Sequence, residues 1–107
     1  MGKKDKRTKA EKQFEKKHGF PVQDTWDLSY WISRELSKRL RVWAEVAIHS
    51  YPPDRTYEQW RAEILEVADN FDKYVNKWDT IEEMNANNDA GQSAIEWVAK
   101  NFSDLWD

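Results

Sequence analysis

The chain of 107 residues contains no cysteine, and only three glycines and three prolines. The first absence excludes disulfide frameworks, thiolate metal sites and cysteine nucleophiles, and it fits a reducing compartment. So few glycines leave no phosphate-cradling loop, since Gly2, Gly19 and Gly91 stand far apart. No stretch approaches the roughly 18 apolar residues of a membrane span, and the basic N-terminal residues lack the apolar run of a signal peptide. The expected location is therefore the cytoplasm.

Mean hydropathy is low, at -1.01, and 35% of residues are charged. Such a composition drifts toward disorder unless large side chains compensate. Seven Trp, four Tyr and four Phe do so here. A large aromatic buries on the order of 150–250 Å², so a few of them suffice to build one small core.

Charge is unevenly spread. Residues 1–20 carry eight Lys/Arg against three Asp/Glu, whereas residues 54–107 carry five against thirteen. The first segment, with Phe14 and Phe20 as its only aromatics, reads as a flexible basic arm that forms at most a transient helix around Ala10 to Lys17. Residues 21–107 read as a single helical domain.

Asp24 and Asp27 supply a weak capping box for a first helix beginning near residue 24. At about 100° per residue, Leu28, Ile32, Leu36, Leu40, Trp43, Val46 and Ala47 share one face. Arg34, Lys38 and Arg41 fall opposite, with Tyr30, Ser37 and Glu45 beside them. Arg39 projects toward the apolar side, and Glu35, four residues before it, is placed to pair with it. The two prolines after Tyr51 end the helix.

Thr56 and Gln59 then form a full capping box, followed by Trp60, Ile64, Val67, Ala68, Phe71, Val75 and Trp78 at helical spacing. An Asp69 to Lys73 pair is expected on the outer face. The run Asn85 to Gly91 is dominated by turn formers and reads as a loop. A last helix, capped by Asp89 and Gln92, would bury Ile95, Val98, Ala99, Phe102 and Trp106. The expected fold is all-α: a small bundle of three main amphipathic helices behind a disordered basic arm.

The residues that could carry chemistry are few. Glu82 and Glu83 sit beside a polar stretch, and His18 and His49 lack helical metal-ligand spacing, so neither catalysis nor a metal or other cofactor is expected. Trp26 and Trp31 lie off the centre of the first helix's apolar stripe. Together with Tyr30, Arg34, Lys38 and Arg41 they are the expected partner-binding residues, since aromatics and arginine dominate interface hot spots. The acidic second half is a further candidate surface, able to steer toward a basic partner.

The order Trp26-Asp27-Leu28, Tyr30, Arg39-Leu40, Glu58, Trp60 and the closing Leu105-Trp106-Asp107 resembles a family of small tailed-bacteriophage proteins. That family opens on Trp-Asn/Asp-Leu-Asp-Tyr, continues through Pro-Arg-Leu and Glu-Glu-Trp, and closes on Leu-Trp-Asp. The resemblance runs over residues 20–107 and departs at Ser29, Lys38 and Gln59. No biochemical activity attaches to the family, so the resemblance implies a phage or prophage origin and leaves the chemistry open.

The expected function is that of a non-catalytic accessory protein that binds and modulates a host or defence protein, for example by inhibiting a CRISPR effector. One alternative is nucleic-acid binding through residues 1–20 and the basic stripe. The other is a structural or assembly role in the virion.

Overall fold

The computed structural model describes residues 6–105, so Trp106 and Asp107 lie outside the described residues, as does the expectation that Trp106 joins the core. Among the described residues there are four α-helices and no strand: α1 (Lys9–His18), α2 (Leu28–Val42), α3 (Tyr57–Tyr74) and α4 (Ile81–Lys100). The all-α class holds. The chain divides into two compact units, Met1–Trp31 and Ile32–Asp107.

In the first unit the basic segment is more ordered than expected. Thr8 caps α1: its hydroxyl accepts from the Glu11 amide at 3.1 Å, and the Glu11 carboxylate accepts in return from the Thr8 backbone. Gly19 ends the helix at φ 84°, in the left-handed region that glycine enters without strain. No α1 residue is buried, although Phe14 gathers His18 and Phe20 around it, with ring centroids at 4.3 and 5.8 Å.

The start of α2 departs from the expected cap. Asp24 lies inside a 3₁₀ turn, Val22–Thr25, that follows the extended Pro21, and Thr25 closes this turn by donating its hydroxyl to the Val22 carbonyl at 2.6 Å. The helix begins only at Leu28, with the Asp27 carbonyl accepting from the Trp31 amide at 2.9 Å.

The second unit is a helical bundle whose core is built on α3. The Thr56–Gln59 capping box forms as the sequence requires. Trp60, Ile64, Val67, Ala68 and Phe71 are buried in a row, joined by Leu40, Ala44 and Ala94. Each large side chain fully removed from water contributes about 1.5–3 kcal/mol, which makes Trp60, Phe71 and Ile64, all fully buried, the principal anchors. Trp60 has Trp43 edge-on at 6.2 Å and Trp97 tilted at 5.2 Å. The Arg55 guanidinium lies 5.3 Å from its ring centroid, within cation–π range.

A polar clasp ties the Pro-Pro loop to this cluster. Arg55 Nε meets Glu63 at 2.6 Å, the other Glu63 oxygen accepts from Trp97 Nε1 at 3.2 Å, and Arg55 Nη2 donates to the buried Asn101 at 3.3 Å.

Several expected core assignments are corrected, beginning with Leu28 of the expected stripe, which is exposed. In the second unit, α2 buries Ser33, Ser37 and Leu40, and Ala44 of the turn that continues it is buried as well, a helical row rotated toward the basic stripe, because α3 offers carboxylates at that edge. Ser37 is only 4% exposed and donates its hydroxyl to Asp72. Val46 of the expected stripe is exposed. Trp78 is exposed because α3 ends at Tyr74, before the last predicted turn.

The largest difference is α4. The stretch read as a loop lies inside a helix of 20 residues. Thr80 caps it, accepting from the Glu83 amide at 3.1 Å, while the Glu83 carboxylate reaches back to the Asp79 amide at 3.0 Å. Its buried row is Asn87, Ala90, Gly91 and Ala94, small residues that admit α3 closely. Asn87 donates to the Asn76 carbonyl at 3.1 Å, closing the α3–α4 connection. Ile95, Ala99 and Phe102, expected in the core, are exposed.

Candidate partner-binding surfaces

The two units present different surfaces. In the first, Trp26 follows the 3₁₀ turn, its amide donating to the Gln23 carbonyl at 3.1 Å. Its side chain is 66% exposed, and that of Trp31 on the first turn of α2 is 39% exposed, while Tyr30 is half-buried. Trp26 and Trp31 are the two tryptophans of this unit, and both are exposed. Phe20 and Leu28 add further exposed apolar surface. A large aromatic with an apolar body and one polar N–H forms a strong anchor when a partner covers it.

The turn that carries Trp26 is tied to α1 by Gln23, whose amide donates to the Glu11 carboxylate. That bond, with those from the Thr8 hydroxyl and backbone, holds the Glu11 carboxyl below the ordinary glutamate range. A depressed folded value means that the contribution of these bonds is complete above the ordinary range and is lost as pH falls through the folded value. Carboxyl-detected NMR titration is expected to show Glu11 titrating below an unperturbed glutamate. Gln23→Ala should move it back upward, and an unmoved midpoint would show that the Gln23 bond does not form in solution.

In the second unit the basic residues divide. Arg34 is exposed. Lys38 meets Glu35 at 3.2 Å along α2. Arg41 crosses to α3, donating to Asp69 at 2.7 Å and also to Asp72. These two bonds, that to Asp72 the larger influence, hold the Arg41 guanidinium more firmly protonated than usual. Arg41 was expected among the partner-binding residues and Asp69 in a pair with Lys73. Both are instead part of the α2–α3 contact.

The expected Glu35–Arg39 pair is present at 3.2 Å. Hydrogen bonds from Lys38 first, then Arg39, lower the Glu35 carboxyl.

Sequence reasoning missed an open groove of about 410 Å³, walled by Leu36, Leu40, Trp43, Ala47 and Leu105, with Arg39 and His49 also lining it. Its size falls in the range of small-molecule and side-chain pockets. The signal was present, since Leu36, Leu40, Trp43 and Ala47 are one helical row, but it was assigned wholly to the core. A π-helical turn, Trp43–Ala47, continues α2 along this wall, and Arg61 of α3 donates to its Ala44 carbonyl at 3.0 Å. Such turns recur where a helix is shaped for a ligand or contact. A smaller cleft of about 140 Å³ between α3 and α4 is lined by Glu63, Glu66, Asn70 and Trp97.

Among the described residues no helix is long and apolar enough to cross a membrane, and no three His, Asp or Glu side chains gather as metal ligands would. Compared with protein-family models, curated proteins and solved structures, the chain finds no match in any of the three.

Proposed function

We propose that the chain is a non-catalytic binding protein of the phage-accessory kind. It acts in the host cytoplasm by docking on a host or defence protein through Trp26, Tyr30 and Trp31. Inhibition of a CRISPR effector is one concrete form of that activity. The observation that carries the reading is the exposure of Trp26 and Trp31 in a chain that can bury a tryptophan completely at position 60. Leaving two large aromatics in water on one small unit is costly unless a partner covers them.

The experiment is affinity capture from a bacterial host lysate, with and without nuclease, comparing wild type with the W26A/W31A variant. Neither residue is buried, so the variant should fold. A protein retained through nuclease treatment and lost from the variant is the expected result. Recovery that disappears with nuclease would make nucleic acid the ligand and overturn the reading.

A further inference from the structure

One flank of α2 in the second unit, extended by the π-helical turn that continues it, carries Ile32, Glu35, Arg39, Val42 and Val46, spaced by three or four residues along a single helical seam. Arg39, Val42 and Val46 are exposed, and Ile32 and Glu35 are half-buried. From this seam we infer that α2 is a self-association surface, which pairs with α2 of a second copy in antiparallel orientation about a twofold axis.

The argument for a second copy rests on the order of the residues. A twofold contact is self-complementary: if one residue meets another across the axis, the reverse contact is made as well. With the axis at the level of Ser37, Ile32 and Val42 stand equally far on either side, and so do Glu35 and Arg39. Antiparallel pairing therefore sets Ile32 of each copy against Val42 of the other, and Glu35 of each against Arg39 of the other. Apolar meets apolar and acid meets base, twice over. A heterologous partner places no such requirement on the pattern.

The charged pair is also equipped for the exchange. Arg39 engages Glu35 within its own helix through Nη1, which leaves the rest of its planar fork for a second carboxylate. Glu35 receives Lys38 on one oxygen and Arg39 on the other, and each carboxylate oxygen can accept again. The seam is short, so the contact belongs at the small end of specific interfaces and the dimer is expected to be weak.

Sedimentation equilibrium of the full chain, between about 1 µM and about 1 mM, is the test. Wild type should pass from monomer to dimer over that range. E35R and R39E should each weaken the dimer by about tenfold or more, because like charges then face each other on both sides of the axis. An equimolar mixture of E35R and R39E should restore it, because Arg meets Glu at both positions across the axis even though the pair within each helix is broken. Val42→Asp, on the solvent side, gives an independent loss. A wild type that stays monomeric throughout would overturn the inference, as would a dimer indifferent to these changes or a mixture that does not recover.

Discussion

Trp60→Ala is expected to lower stability by about 3–5 kcal/mol, the range for truncating a fully buried large aromatic. The side chain is wholly inside, between Trp43 and Trp97 and under Arg55, so nothing but the cavity replaces it. For a domain whose total stability is about 5–15 kcal/mol that is a large share. Urea denaturation followed by circular dichroism should show a much lower midpoint with little change in slope. Trp60→Phe should cost considerably less. It keeps most of the packing and removes an indole N–H that is buried with no hydrogen-bond partner, a group whose burial costs about 1–3 kcal/mol when unpaired. Equal losses for the two variants would mean that the site depends on indole shape alone.

Gly91→Ala should also destabilise, against the usual gain of about 1 kcal/mol for replacing glycine inside a helix. A Cβ at position 91 would stand 2.3 Å from Cδ1 and 2.7 Å from Cγ of Tyr74, so the ring or the helix must move. Overpacking of this kind costs about 1–3 kcal/mol. The same denaturation experiment reads it, and Tyr74→Ala supplies the control. In that background the ring is gone and only the Cβ of residue 74 stays close, at 3.1 Å, so Gly91→Ala should cost clearly less than it does beside the full tyrosine. A Gly91→Ala variant as stable as wild type in the presence of Tyr74 would contradict the close α3–α4 approach.

These two sites also mark where the sequence was legible and where it was not. α3 could be read directly, because a reciprocal cap at Thr56 and Gln59 opens a row of large apolar residues at helical spacing, and large apolar residues are what periodicity detects. α4 hid behind its own packing solution. A helix that must approach α3 closely needs small residues at the contact, and Asn87, Ala90, Gly91 and Ala94 resemble a turn when read one at a time. Thr80 and Glu83 signalled its start and were passed over in favour of Asp89.

The buried face of α2 in the second unit was misplaced for a related reason. Ser33 and Ser37 are polar by type, but Asp72 accepts the Ser37 hydroxyl and, with Asp69, draws Arg41 against α3. Only the partner helix shows that this edge is an inner one. The exposed aromatics were legible because Trp26 and Trp31 fall outside the apolar stripe. The groove beside Trp43 was not, since periodicity identifies an apolar face without saying how much of it a neighbour covers.

Calorimetric titration of the captured partner into purified wild type and W26A/W31A offers the sharpest check on the binding role proposed for those tryptophans. Hot-spot aromatics contribute about 2 kcal/mol or more each, so the dissociation constant should rise by at least about 100-fold while the thermal midpoint stays within a few degrees of wild type. An unchanged dissociation constant in the folded variant would contradict the account and move the docking surface elsewhere on the molecule.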